Sequence, residues 1–509
     1  MIAFRMIVLI ALMLTSFSAF AKDKTSKSGK PTLEEMTMTT YKADPDAKAV
    51  VLWSYTDVSF DIDATYDHII YHNRARVKIL DEEGLSAASI SIPYYDIETT
   101  NAMEGEVIDV TATTYNLENG MTVATKMPGN AVKKEHIGLD HFQVSFTAPD
   151  VKVGSVVEYE YKVKSIYYLT PKTWYAQCEY PVAQAVYDFN MPEWFHYSSH
   201  VAAGGLVMIP EKKFGTYKSH DENFHVRVAT ERYIFIAASL PALKLNGRPI
   251  ESVDECVRVE HDIKGVRAPM DIYGHFKHHW VDIEHQGNQF FFNDEVGMHH
   301  FKYRLQDYFP GGIQHSVGTA INMSFNDSWY NIVTGLLKDS DFGKLYNMTN
   351  PLSSELSNIN LSGKTLNDKV DALRNLLLGK YQWNGEYGIL GKSRLFGERT
   401  LDMGTMNFLM MSMLREAGIT ATPVIFSRRS KGLFPDYPST RYLNAMCLRI
   451  KNVDGSVLYV DPTSADCSVG TLSEELMFKK GIAVYPDGPS FVTTASAEEE
   501  KIEESIPDL

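Results

Sequence analysis

Between residues 41 and 262, apolar side chains recur mostly at every second position. In HNRARVKIL, Ala75, Val77 and Ile79 fall on one face and Arg74, Arg76 and Lys78 on the other. VVEYEYKVKS sets Val157, Tyr159, Tyr161 and Val163 against Glu158, Glu160, Lys162 and Lys164. Period two over such runs predicts half-buried antiparallel strands. Asn119-Gly120 and Asn246-Gly247 are the residue pairs that tight hairpin turns favour. Many strands with few helical stretches predict a β-sandwich-like, packed-sheet domain over 41–262.

Beyond residue 321 the period changes. WYNIVTGLLKDSDFGKLY has a helical pattern, and LNDKVDALRNLLLGKYQW carries Asp368 near its start, then Val370, Leu373, Leu376 and Leu377 at helical spacing. In RTLDMGTMNFLMMSMLREAGI, Asp402 is placed to cap a helix. Met406, Leu409, Met410, Met413, Leu414 and Ala417 follow on one side, and Gly418 ends it. ATPVIFSRR then reads as a strand. YLNAMCLRI and SVLYVDPT, joined through Asp454-Gly455, read as a hairpin with a two-residue turn. Helices followed by antiparallel strands predict an α+β domain over 321–485, so the whole chain is expected to be α+β with two domains. Its 509 residues exceed one ordinary core, which agrees.

The chain ends alter this plan. Arg5 precedes the apolar run MIVLIALMLTSFSAF, which closes on Ala19-Phe20-Ala21. A charged start, a short apolar stretch and an A-x-A site predict a signal peptide over 1–21, hence a periplasmic or secreted protein with no transmembrane segment after signal removal. Residues 22–40 read as a polar linker and 486–509 as an acidic tail.

A net charge of -15 excludes the basic footprint that nucleic acid requires. Cys178, Cys256, Cys447 and Cys467 allow three complete disulfide pairings, with none favoured by sequence; the alternative is four buried thiols. The segment 263–320 gathers His275, His278, His279, His285, His299 and His300. Imidazole suits zinc, copper or nickel, but the spacing fits no standard ligand set. The segment is read as a connection, and no metal or cofactor is expected.

The start of the helix at Asp402 is where a nucleophile would gain most, because unpaired N–H groups and the helix dipole stabilise a thiolate there. The region 325–475 resembles the transglutaminase-like branch of the papain-type superfamily, through SDFGKL, YQWNG, MLREAGITATPVIFSRR and LYVDPTSAD. The preceding region resembles the β-rich domain of unknown function that often accompanies this branch in secreted bacterial proteins. DPDAKAVVLW, GSVVEYEYKVKS, YPVAQAVYDFNMPEWF and LPALK carry that likeness.

The resemblance implies a Cys-His-Asp set. Set against the family's Gly-Asp/Asn-Cys-x-Asp/Glu, this chain has Leu401, Asp402, Met403, Gly404 and Thr405, so Met403 occupies the cysteine position. Ala445 occupies the histidine position, and the aspartate remains as Asp461. A thioether has no proton to lose and forms no stable acyl-enzyme, and alanine is no base. A register shift by one residue puts Asp402 or Gly404 at the key position, and neither restores it. Thr405 lies about 200° around the helix from Met403. Cys447, on the same strand face as Ala445, is the one substitute nucleophile to weigh. Asp461 then reads as a strand-end turn residue feeding Pro462.

The methionine run reads as core filling rather than an adaptable surface. The reading of the whole is a noncatalytic binding or scaffolding protein for a protein, peptide or glycan. The alternatives are a Cys-dependent acyl-transfer enzyme with a displaced nucleophile, or a structural partner in an envelope assembly.

Overall fold

The computed structural model describes residues 29–501 apart from 63–66, 96–104, 139–140, 166–167, 169–170, 193–194, 203–210, 219–226, 244–253, 255, 270–282, 287–288, 293–315, 318–319, 325–327, 340, 391–398, 465–466, 468 and 494–495. The chain forms two compact units. One comprises 1–195, 199–245 and 255–261; the other comprises 196–198, 246–254 and 262–509.

The first unit opens with a short helix, α1 (Leu33–Thr37), and is otherwise strand-rich. Its strands are β1 (Ala49–Ile62), β2 (Asp67–Ile79), β3 (Ser89–Tyr95), β4 (Gly105–Glu118), β5 (Met121–Lys126), β6 (Lys133–Gly138), β7 (His141–Thr147), β8 (Val156–Ser165), β9 (Trp174–Tyr175), β10 (Val182–Pro192), β11 (Phe195–Ala202), β12 (Glu211–Lys218), β13 (Arg227–Leu240) and the start of β14 (Arg258–Pro269). Among the described residues, eight strands form one sheet in the order β12-β13-β10-β1-β2-β8-β4-β5. Its pairs are antiparallel except β1 with β10. A smaller sheet, β3-β7-β6, meets it where Phe146 packs edge-on against Tyr159.

Turn chemistry explains the local geometry. Asn119 and Gly120 both take positive φ, 49° and 77°, as the tight β4–β5 hairpin requires. Asn246-Gly247 lies outside the described residues.

The period-two reading of β2 is half right. Ala75, Val77 and Ile79 are buried as expected, but Arg76 and Lys78 on the other face are buried too. Strand β8 beside it supplies Glu158 to Arg76 at 2.6 Å. The remaining cover comes from the segment read as a linker. Within 22–40, Thr32 and Glu35 form a reciprocal capping box that starts α1. Glu35 then pairs with Arg76 at 3.0 Å, and the Met36 carbonyl accepts from Lys78 Nζ at 2.8 Å. From Thr32 onward the segment is therefore structured, with its polarity spent on partners in the sheet.

The second unit adds helices. Strands β15 (Ile283–Gln286) and β16 (Gln289–Phe292) pair, as do β17 (Ser316–Val317) and β18 (Ala320–Ser324). His285 lies on β15; the structure around His275, His278, His279, His299 and His300 lies outside the described residues. Next come α2 (Trp329–Lys338), α3 (Phe342–Tyr346), α4 (Ser353–Leu356) and α5 (Leu366–Lys380). The helical pattern over 329–346 is made by two helices, divided where Asp339 Oδ1 accepts from the N–H groups of Asp341 and Phe342. Helix α5 starts at Thr365, whose Oγ1 accepts from Asp368 N, and buries Val370, Leu373 and Leu377.

The parallel pair β19 (Gln382–Trp383) and β20 (Thr400–Leu401) leads into α6 (Met403–Glu416). The chain ends in β21 (Thr422–Phe426), β22 (Ala445–Lys451), β23 (Val457–Val460), β24 (Lys480–Tyr485), β25 (Gly488–Thr493) and β26 (Ser496–Lys501), a sheet ordered β23-β22-β21-β24-β25-β26.

Two boundaries differ from the sequence reading. The β22–β23 connection is the three-residue form, Val453–Asp454–Gly455: Gly455 N donates to Asn452 O, Asn452 N donates to Ser456 O, and Gly455 takes φ 84°. Residues read as the start of an acidic tail, 486–493, belong to the sheet, because Val492 is buried and β25 pairs with β24.

All four cysteines are free thiols, so none of the three pairings is made. Cys256 and Cys447 are buried, whereas Cys178 is exposed and Cys467 partly so. Among the described residues, no helix is long and apolar enough to cross a membrane.

Candidate functional site

Asp402 sits in extended conformation and accepts from Thr405 N at 2.7 Å, starting α6 where its side chain predicted. Gly418, at φ 75°, ends it, with Ile419 N donating back to Leu414 O. Between these caps the helix departs from the one-sided pattern read in the sequence. Every residue from Met403 to Leu414 is buried, including Thr405, Asn407 and Ser412. The polar ones are used internally: Asn407 Nδ2 donates to Met403 O at 2.9 Å and to Met446 O at 3.2 Å, tying α6 to β22. The methionines Met406, Met410, Met411 and Met413 fill the principal core of this unit.

Met403, the first residue of α6, is fully buried. Its N–H donates to Glu386 O at 3.1 Å, so a donor that could face an anion at a helix start is already used. Its sulfur accepts from Met446 N at 3.5 Å. Strand β22 is buried on both faces. Met446, Leu448 and Ile450 join the principal core, whereas Ala445 and Cys447 join Met403, Val424, Phe426 and Phe478 in a second cluster. The structure therefore brings Met403, Ala445 and Cys447 together, as the same-face argument anticipated.

Asp461 follows β23 and borders this cluster at Cys447. The β22–β23 ladder pairs Leu448 with Val460, so the next step sets Cys447 opposite Asp461. Asp461 Oδ1 accepts from Thr463 N at 2.9 Å and Thr463 Oγ1 at 2.6 Å, the turn role read from its sequence context. Its Oδ2 is buried and meets no donor among the described residues. Burial pushes its carboxyl above the usual range, against the bonds from Thr463 and the charge of Arg374. Burial likewise pushes the Cys447 thiol well up, and Asp461 adds to that.

A group of residues that sequence reasoning did not single out gathers around Tyr387, which lies against the second cluster. Trp383 meets Tyr387 edge to face at 4.8 Å, and its indole N–H donates to Glu386 O. The Arg428 guanidinium lies 4.1 Å over the Tyr387 ring and 3.6 Å from Glu475. Their signal was faint: Trp383 and Arg428 fell within stretches read for a family likeness or for secondary structure, Tyr387 fell in none, and no motif marks a ligand contact. Among the described residues, no group of three or more His, Cys, Asp or Glu side chains is arranged to hold a metal ion.

Residues 68–221 match the family model of DUF3857, a domain of unknown function with a solved structure. The matched span takes in most of β2 and all of β4, β5, β8, β10 and β12 of the larger sheet, together with the β3-β7-β6 sheet; β1 precedes it and β13 follows it. No curated protein matches the chain. A candidate protease from Parabacteroides distasonis ATCC 8503 has a similar structure: TM-score 0.52, 11% identity, 88% of this chain and 70% of that chain covered. At that identity the likeness is one of fold. The chain is thus similar over 68–221 to the DUF3857 family and, in fold, to a candidate protease.

Proposed function

We propose that this chain is a secreted, noncatalytic transglutaminase-like protein that acts as a binding or scaffolding module for a protein or peptide. In this reading 1–21 is a signal peptide, the strand-rich unit is a packed-sheet domain, and 321–485 is the transglutaminase-like domain. The helices followed by an antiparallel sheet, with the first residue of a buried helix against β22, support that assignment. So does the fold likeness to a candidate protease.

One observation carries the noncatalytic reading. At the three family positions stand a buried thioether, a buried methyl group and an aspartate whose second carboxylate oxygen has no donor among the described residues. Acyl transfer needs an ionisable nucleophile and a base, and the site supplies neither.

The displaced-nucleophile reading requires Cys447 to ionise and reach substrate. Its complete burial, which also pushes its thiol pKa well up, opposes both. The mature chain should neither hydrolyse peptide amides nor incorporate amines, and Cys447 should react with a thiol probe only when the protein unfolds, while exposed Cys178 labels first. Rapid, saturable labelling of Cys447 in the folded chain, or turnover that a Cys447→Ser variant loses, would restore the enzyme reading.

A further inference from the structure

We propose that Trp383, Tyr387 and Arg428 form a binding site for a peptide carboxylate presented beside an apolar or aromatic side chain. This deepens the binding reading above and rests on it.

All three side chains are partly exposed; Tyr387 packs on the cluster holding Met403 and Ala445, and Trp383 and Arg428 both contact the Tyr387 ring. Arg428 is held from its backbone, where its N–H donates to Asn444 Oδ1 at 2.9 Å. Its guanidinium face is occupied by the Tyr387 ring. Stacking uses the face and leaves the edge available for in-plane hydrogen bonds. On that edge Nε is buried and has no acceptor among the described residues. Glu475 is only a partial partner: 3.6 Å from Nη1 it is an ion pair without a close hydrogen bond, and its oxygens accept from Ser430 N and Ser430 Oγ.

A buried N–H without an acceptor is a standing cost that a ligand can remove. A carboxylate does so best, because its two coplanar oxygens match the guanidinium fork. The Tyr387 and Trp383 rings supply an apolar wall beside it, the combination of apolar lining and few polar anchors that small sites use. The carboxylate can come from a chain terminus or from an Asp or Glu side chain. Glu475 opposes either by like-charge repulsion, so removing its charge should strengthen binding.

Isothermal titration of the mature full chain with three peptides tests this: acetyl-Ala-Ala-Phe as the free acid, the same peptide as its amide, and acetyl-Asp-Phe-amide. At least one carboxylate-bearing peptide should bind saturably, and the uncharged amide at least about tenfold more weakly. Preference between the two acids identifies terminus or side chain as the source. Arg428→Gln should weaken binding about tenfold, Arg428→Lys should restore only part of it, and Glu475→Gln should tighten it. Melting temperatures establish that the variants fold. Should Arg428→Gln unfold, the acid-to-amide ratio and Glu475→Gln decide.

Equal binding of acid and amide, binding by none of the three, or a folded Arg428→Gln variant that binds as the parent does would overturn the proposal. Mass spectrometry of the recovered peptide keeps the two ideas separate. Cleavage would sink the noncatalytic reading and leave the carboxylate site standing.

Discussion

The Met446 backbone N–H donates to the sulfur of Met403, 3.5 Å away in a fully buried setting. A thioether is a weak acceptor, so this contact contributes little alone. Its meaning is geometric: the side chain at the head of α6 turns into the sheet and packs there. Met403→Ala should then act as a core truncation, costing about 2–5 kcal/mol, while Met403→Leu conserves volume and costs below about 1.5 kcal/mol. Urea unfolding measures both. A Met403→Ala variant as stable as the parent would place that side chain outside the core.

Asp461 makes stability depend on pH. Its carboxyl is raised above the usual value by burial, so the folded chain holds its proton at pH values where the unfolded chain has released it. Its stabilising contribution is present below the unfolded value and is lost as pH rises through the folded one. Asp461→Asn keeps an oxygen for Thr463 and removes the buried charge, so it should raise the melting temperature at neutral pH and change it little in acid. Asp461→Ala discards both Thr463 bonds and should cost about 1–2 kcal/mol. Destabilisation by Asn at neutral pH equal to that by Ala would mean that the charge is held by a partner.

His72 offers a titration of opposite origin in the first unit. Its ring lies 3.2 Å from Asp57 and 2.6 Å from Glu160, on strands to either side. The Asp57 carboxylate beside it leads in raising its pKa, burial opposes, and Glu160 adds. The imidazolium thus stabilises the fold fully below the unfolded value of 6.5, and the contribution fades as pH rises through the folded value. Asp57→Asn should move the His72 titration to lower pH, as read from its ring proton shifts in NMR. An unmoved titration would remove Asp57 as the cause.

Much of the architecture was legible because local chemistry and tertiary position agreed. Asp402 and Gly418 bounded α6, Asp368 marked the start of α5, and Asn119-Gly120 made its hairpin. What was not legible depended on partners remote in sequence. Nothing within HNRARVKIL tells that Arg76 and Lys78 are covered, since the cover comes from Glu35, Met36 and Glu158. At the candidate site, residue identities disclosed what Met403 and Ala445 cannot do. They did not disclose that Glu386 takes the Met403 N–H, or that Arg428 stacks on Tyr387, because both contacts join segments with no shared periodicity.

The clasp of α1 on β2 is the most direct case of such cover, and it can be removed. Lys78 Nζ donates to Met36 O at 2.8 Å and to Gly154 O at 2.6 Å, with no carboxylate bonded to it among the described residues. Burial lowers its pKa from 10.5 to about 8, with Glu35 opposing. Because the folded ammonium sheds its proton near pH 8 while an unfolded lysine keeps its own to 10.5, stability should climb between those values. Lys78→Met should abolish that climb. Deleting residues 22–38 removes Glu35 from Arg76 and the Met36 carbonyl from Lys78, leaving two cations short of partners; the loss should be about 3 kcal/mol. Denaturant midpoints of the parent, Lys78→Met and the deletion, taken at pH 7 and pH 10, give both answers. A deletion as stable as the parent would show that α1 rests on the sheet without holding it.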